Sequence, residues 1–131
     1  SSMIRIILFI PEEAGQKGLA LKNTIRTRFC EFDQKICSDL KTLQKALTRL
    51  VRFGVLDIFV FLAETRTNLE ELLSLEKYVE DKKILLILPD NARSTYALGF
   101  KLYPRFVTLI TDFQNNLYDV LEKMIDNHNR K

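Results

Sequence analysis

The chain has 131 residues, 47% of them hydrophobic and 28% charged, which is typical of one soluble globular domain and excludes a disordered chain. Its formal net charge of +3 is too small to indicate nucleic-acid binding by itself. No apolar run approaches the roughly 18 residues that a transmembrane helix needs, so we expect no membrane partner.

The first residues and the cysteines bear on domain organisation and location. Ser1 and Ser2 precede Met3 and look like a cloning remnant, so a single domain is predicted over residues 3–128. Cys30 and Cys37 fit neither a CxxC motif nor the spacing of a zinc site. Two reduced thiols are the simpler interpretation, and they favour a cytoplasmic location.

The first elements are read from an unbroken apolar run, Ile4–Ile10, which is typical of a strand buried on both faces. Gly15 and Gly18 follow and predict a flexible loop, and a helix is expected over about residues 17–27. Phe29–Phe32 is interpreted as a short second strand.

The second helix is predicted to begin after Ser38 or Asp39, either of which can act as an N-cap, and to end at Gly54. Apolar residues at helical spacing form a stripe that should be buried: Leu40, Leu43, Leu47, Leu50 and Val51. The opposite side carries a stripe of basic residues that should be exposed: Lys41, Lys45, Arg49 and Arg52.

Three further apolar runs, Ile58–Leu62, Ile84–Leu88 and Phe106–Ile110, are predicted as the third, fourth and fifth strands. Each precedes a helix with a recognisable start signal. Those signals are a capping box of Thr67 and Glu70, then Asp90 or Asn91, and finally Thr111 or Asp112 with Gln114.

Strands that alternate with amphipathic helices indicate a parallel sheet with helices on both faces. We therefore predict an α/β fold, a three-layer α/β/α sandwich with a five-stranded parallel sheet in the order 2-1-3-4-5. Ligands of such sheets bind outside the carboxyl ends of the strands. The acidic residues near those ends are Glu12, Glu13, Glu64, Asp90 and Asp112.

This layout resembles the receiver domain of bacterial response regulators, which has the CheY-like or flavodoxin-like fold. Receivers carry an acidic pair after the first strand, where this chain has Glu12 and Glu13. Their third strand begins with an aspartate and an apolar run, as at Asp57 here. Their fifth strand ends in Lys-Pro-Phe, where this chain has Thr111-Asp112-Phe113.

The departures from the receiver pattern concern its chemistry. By resemblance, the phospho-accepting aspartate falls on Leu62, the hydroxyl of the fourth strand on Leu88 or Pro89, and the lysine on Thr111. Leucine cannot attack phosphorus, and loss of the lysine removes a charge-assisted contact to a phosphoryl group. The resemblance thus implies a degenerate receiver, or pseudo-receiver, that needs no cofactor.

Two acidic features of this pocket have alternative interpretations. Glu64 lies two residues beyond Leu62, where it would either mimic a phosphorylated aspartate or be a solvated loop acid, and the second is the simpler interpretation. Clustered carboxylates can bind Mg²⁺ or Ca²⁺, and Glu12 and Glu13 are the candidates for such a site, but we expect no metal.

The function predicted from these observations is a non-catalytic signalling or scaffolding module with a protein partner or self-association. No enzyme is expected, because His128 is the only histidine and no nucleophile–base pair can be assigned elsewhere. The predicted contact surfaces are the basic stripe and, by resemblance to receivers, the aromatic residues Tyr96, Phe100 and Tyr103.

Two other functions remain open at this point. Gly15-Gln16-Lys17-Gly18 after the first strand is compatible with binding a nucleotide or another phosphorylated ligand, as in flavodoxin-like proteins. The basic stripe is compatible with nucleic-acid binding, which the small net charge disfavours.

Overall fold

The structure, a computed structural model, describes residues 3–130. The strands are β1 Met3–Phe9, β2 Asp33–Cys37, β3 Val55–Leu62, β4 Lys83–Leu88 and β5 Phe106–Leu109. The helices are α1 Gly15–Arg28, α2 Leu40–Thr48, α3 Arg66–Leu73, α4 Arg93–Phe100 and α5 Phe113–Asn129. A 3₁₀ turn at Glu76–Tyr78 follows α3. The prediction about Ser1 and Ser2 lies outside the described residues.

All the strand pairs are parallel, and the sheet order is β2-β1-β3-β4-β5, which confirms the predicted topology. Side chains alternate between the two faces of the sheet. Ile6 and Leu8 of β1 pack with α1 and α5, whereas Ile7 and Phe9 pack with α2 and α3. The predicted three-layer sandwich is therefore correct.

The prediction of a second strand at Phe29–Phe32 is wrong. Phe29 is the C-cap of α1, and the residues after it form the turn that leads to β2. The Phe29 N–H donates to the carbonyl of Ile25, and the Phe29 ring is buried in the core. The strand β2 follows directly at the edge of the sheet, where most of its side chains are at least partly exposed. Partial exposure removes the apolar signature that identifies the central strands.

The predicted glycine loop after β1 is the beginning of α1. This helix starts at Gly15, and Gly18 lies in its first turn. A Cβ at Gly18 would lie 2.8 Å from both the Ala14 Cβ and the Ile10 Cγ2, so the glycine allows the helix to approach the end of β1 closely.

The helix α2 ends at Thr48, earlier than predicted, so Leu50 and Val51 do not belong to a buried stripe. The backbone turns extended at Arg49, and Leu50 is 93% exposed. Gly54 does not end the helix but adopts a φ of +87° in the turn before β3. Two of the four basic residues, Arg49 and Arg52, consequently lie outside the helix.

Helix starts agree only in part with the predicted caps. Asp39 is confirmed as an N-cap, since its Oδ1 accepts from the Thr42 N–H at 2.7 Å. Asp90 accepts from the Ala92 N–H at 2.9 Å, although α4 itself begins at Arg93. Asp112 occupies the N-cap position of α5 without a side-chain capping hydrogen bond.

The capping box of α3 is formed by Thr65 and Asn68, so the prediction of Thr67 and Glu70 is wrong. The Thr65 Oγ1 accepts from the Asn68 N–H, and the Asn68 Oδ1 accepts from the Thr65 N–H, both at 3.1 Å. These bonds satisfy two backbone donors that a helix terminus otherwise leaves unpaired.

We expect Thr65→Ala to lower the free energy of unfolding by about 1 kcal/mol, because it removes the side-chain acceptor of this capping box. Thr67→Ala is the matched control, and its effect should stay within about 0.5 kcal/mol, because Thr67 is exposed inside the helix. Urea denaturation followed by circular dichroism measures both. A larger loss at Thr67 than at Thr65 would contradict this assignment of the cap.

Candidate functional site

The carboxyl ends of β1 and β3 are joined by Asn68, a buried residue of α3 that is only 2% exposed. Its Nδ2 donates to the Glu13 Oε1 at 3.0 Å. Its Oδ1 accepts from the N–H groups of Glu64 and Thr65, both at 3.1 Å. One amide side chain therefore holds two of the predicted site loops together.

The acidic pair after β1 is exposed, and its two members differ in their contacts. The hydrogen bond from Asn68, together with a backbone hydrogen bond, holds the pKa of the Glu13 carboxyl below its ordinary value. Glu12 instead lines a cavity of about 220 Å³ beside the first turn of α1. Gly15, Gly18 and Lys22 line the same cavity.

Leu62 is fully buried at the end of β3, where the receiver resemblance places a phospho-accepting aspartate. It packs in the core layer that lies between the sheet and the helices α1 and α5. Leu88, at the end of β4, is also fully buried, in the opposite core layer. Hydrocarbon therefore fills both positions, and neither side chain supplies the carboxylate or the hydroxyl that the resemblance places there.

The other two predicted pocket residues, Thr111 and Glu64, are more exposed than these leucines. Thr111 is exposed, and its hydroxyl donates to the Asp112 Oδ1 at 3.1 Å. Glu64 is half-buried, and its Oε2 has no hydrogen-bond partner among residues 3–130. The sequence favoured a solvated loop acid at this position, whereas the Glu64 side chain is partly buried.

The predicted acidic residues do not form one cluster. Asp90 accepts from the Thr95 hydroxyl at 2.6 Å, and this bond and that from the Ala92 N–H hold its pKa below the ordinary value. Across residues 3–130, no three acidic, histidine or cysteine side chains are grouped so that they could hold a metal ion.

The basic stripe is divided by the early end of α2. Lys41 and Lys45 are exposed on the helix, and Arg52 is exposed in the loop behind it. The Arg49 Nη2 instead donates to the Asp57 Oδ1 and Oδ2 at 3.1 and 3.0 Å. The Asp57 side chain is 6% exposed and that of Arg49 39%, so Arg49 neutralises an acid inside the sheet.

The predicted aromatic residues meet on and after α4. The rings of Tyr96 and Phe100 lie 6.1 Å apart at a tilt of 32°, within the range of favourable aromatic pairs. Tyr96 is half-buried against the core, while Phe100 is 58% exposed and Tyr103 is also exposed. The surface at α4 therefore exposes aromatic ring area to solvent.

The two cysteines are free thiols. Cys37 is buried, and burial raises the pKa of its thiol, which disfavours the thiolate that reacts as a nucleophile. Cys30 is exposed on the turn after α1.

Sequence reasoning missed two of the contacts that organise these loops. The Asn68 bridge has a local signal, since Thr65-Arg66-Thr67-Asn68 has the spacing of a capping box with asparagine in place of glutamate or glutamine. The pair of Arg49 and Asp57 has no such signal, because it depends on where α2 ends.

Comparison of the chain with protein-family models, with curated protein sequences and with solved structures finds no match. Among residues 3–130, no helix combines the length and the apolar composition that crossing a bilayer requires.

Proposed function

We propose that this chain is a non-catalytic, receiver-like module that acts through protein contacts and has no phosphorylation cycle. The five-stranded parallel sheet in the order β2-β1-β3-β4-β5 is the arrangement of the CheY-like fold. The proposal rests on that fold and on the absence of the receiver's reactive side chains at the carboxyl ends of β3 and β5.

The observation that carries the proposal is the complete burial of Leu62. Phosphoryl transfer to a receiver needs a carboxylate nucleophile, a cation and donors to the phosphoryl oxygens. At the position of the nucleophile this chain has an aliphatic side chain packed in the core. Thr111 stands in the place of the lysine and contacts its neighbour Asp112.

The exposed face around α4 supports protein contacts as the mode of action. Phe100 and Tyr103 present apolar ring surface to solvent, and Tyr96 lies behind Phe100. Aromatic residues are enriched at the buried centres of protein interfaces. The exposed lysines of α2, Lys41 and Lys45, offer a second surface that would favour an acidic partner.

Incubation with acetyl phosphate and Mg²⁺ is expected to leave the intact mass of the protein unchanged, because Leu62 stands where a receiver has its aspartate nucleophile at the end of the third strand. A receiver that is known to accept phosphate from acetyl phosphate serves as the positive control in the same reaction. Intact-mass spectrometry at neutral pH reads both proteins. Gain of one phosphoryl group by this chain would overturn the absence of a phosphorylation cycle.

The alternative functions remain predictions with less support. The cavity beside Gly15 and Gly18 measures about 220 Å³, below the roughly 300–1,000 Å³ of ordinary small-molecule sites. Lys22 and Glu12 both line it, so the lining cation that would attract a phosphate is opposed by a carboxylate that would repel it. For nucleic acid, the division of the basic stripe leaves only Lys41 and Lys45 together on α2.

A further inference from the structure

A second concave site lies at the opposite edge of the sheet, where the amino ends of β1, β2 and β3 meet the loop behind α2. It is a cavity of about 580 Å³, within the roughly 300–1,000 Å³ that small-molecule sites occupy. Three arginines line it: Arg5 from β1, and Arg49 and Arg52 from the loop. Arg49 and Arg52 are the part of the predicted basic stripe that lies outside α2, whereas Arg5 belongs to none of the predicted contact surfaces.

The guanidinium groups of this cavity are only partly neutralised by the protein. Arg49 is bound to Asp57, which lies beneath it in β3. Arg5 pairs in register with Asp33 and Asp57 on the neighbouring strands. Among residues 3–130, however, neither Arg5 nor Arg52 forms an ion pair.

Positive charge still exceeds negative charge among the described residues of this site, because three arginines are opposed by two carboxylates, Asp33 in the lining and Asp57 bound to Arg49. The Gln34 amide is already committed, since it donates to the carbonyls of Ile25 and Phe29 at 3.1 and 2.9 Å. A guanidinium presents several N–H donors in a fixed plane that matches a carboxylate or phosphate group. The polar part of the cavity is thus suited to an anion.

The remaining lining is apolar, and part of it is exposed to water. Met3 and Val55 contribute aliphatic surface at the amino ends of β1 and β3. Leu50 lines the same cavity although it is 93% exposed, and the neighbouring Phe53 is exposed completely. Covering such side chains with hydrocarbon is favourable in water.

We propose that this cavity binds an anion that carries a short apolar tail, such as an alkyl phosphate or an alkyl carboxylate. The anionic head contacts Arg5 and Arg52, and the tail lies against Met3 and Leu50. The same chemistry occurs in a free small molecule and in the headgroup region of an anionic lipid. Binding to Arg5 and Arg52 leaves Arg49 paired with Asp57 and the fold intact.

Titration of the ¹⁵N-labelled protein with octyl phosphate tests the proposal by nuclear magnetic resonance. We expect saturable shifts of the amide signals of Arg5, Leu50 and Arg52. Inorganic phosphate and octanol, each offering only half of the ligand, should both bind at least about tenfold more weakly, a difference of about 1.4 kcal/mol.

Arg5→Gln and Arg52→Gln test the head contacts, and each is expected to weaken octyl phosphate binding about tenfold, because a charge-assisted hydrogen bond is lost. Lys123→Gln is the matched control, since it removes an exposed cation of α5 outside the cavity lining and should leave the affinity unchanged. Urea denaturation of each variant distinguishes a lost contact from a lost fold.

Vesicles of neutral lipid with and without phosphatidic acid form the second arm, which distinguishes a lipid from a free ligand. Saturable octyl phosphate binding without vesicle binding supports a free ligand, and binding in both supports a lipid headgroup in this cavity. The proposal is overturned by vesicle binding without octyl phosphate binding, by shifts that do not saturate, or by equal binding of octanol and octyl phosphate.

Discussion

Replacing Leu62 with aspartate, the residue that the receiver resemblance places there, is expected to destabilise the domain severely without making it a phosphate acceptor. Leu62 is fully buried in an aliphatic core layer, so the new carboxylate would lose its water without gaining a partner. We expect the free energy of unfolding to fall by at least about 4 kcal/mol, a large part of the 5–15 kcal/mol typical of a domain.

Leu62→Ala separates the loss of packing from the burial of charge. It removes the same apolar contacts without adding a polar group and should cost about 3 kcal/mol, a typical value for a buried leucine. Urea denaturation followed by circular dichroism measures both variants, and acetyl phosphate with Mg²⁺ tests Leu62→Asp for modification. Stability of Leu62→Asp close to that of the parent, or a phosphorylated product, would contradict the core position of this side chain.

The second large effect is expected at the pair of Arg49 and Asp57. Arg49→Ala removes the guanidinium that binds both oxygens of the Asp57 carboxylate. The Asp57 side chain is only 6% exposed, so water cannot readily replace this partner. Removing one partner of a buried ion pair costs about 3–5 kcal/mol. Because the Arg49 side chain is 39% exposed and Arg5 stands next to Asp57 in the sheet, we expect about 2 kcal/mol here.

Arg52→Ala is the matched control for the loss of an arginine from the same loop. Arg52 is exposed and forms no ion pair within residues 3–130, so its removal should change the stability by no more than about 0.5 kcal/mol. A double-mutant cycle of Arg49→Ala with Asp57→Ala should give a coupling of about 1 kcal/mol or more. Additive effects would show that the two side chains do not stabilise each other.

The central strands could be predicted closely from the sequence, because each is buried on both faces. The predicted strand Ile84–Leu88 and the observed β4, Lys83–Leu88, differ by one residue, whereas β3 begins at Val55, three residues before the predicted Ile58. The edge strand β2 could not be predicted in this way, since Asp33–Cys37 has only one fully buried side chain. Partial exposure permits polar residues and hides the strand among the loops.

Helix ends were predicted less well, because competing local signals are resolved by contacts that are distant in the sequence. Both Thr65 and Thr67 are acceptable N-caps, and Thr65 is the one that exchanges hydrogen bonds with Asn68 three residues later. Asn68 also binds Glu13 across 55 residues of chain. The helical spacing of Leu50 suggests that α2 continues, but the chain turns at Arg49, where the guanidinium reaches Asp57.

The sequence by itself determined the α/β architecture of this protein and the order of its strands. Its apolar runs, helical stripes and short connections leave few other ways to bury both faces of a parallel sheet. It also identified the aliphatic residue Leu62 at the end of the third strand, on which the proposed loss of phosphorylation rests.

Only the tertiary structure decided which polar groups meet. It brought Asn68 between the ends of β1 and β3, and it placed Arg5 and Arg52 around a cavity at the amino edge of the sheet. Hydrophobic periodicity reports which face of an element is buried and says nothing about the neighbours of its polar side chains. Those neighbours are set by the register of the strands and by the residue at which each helix ends.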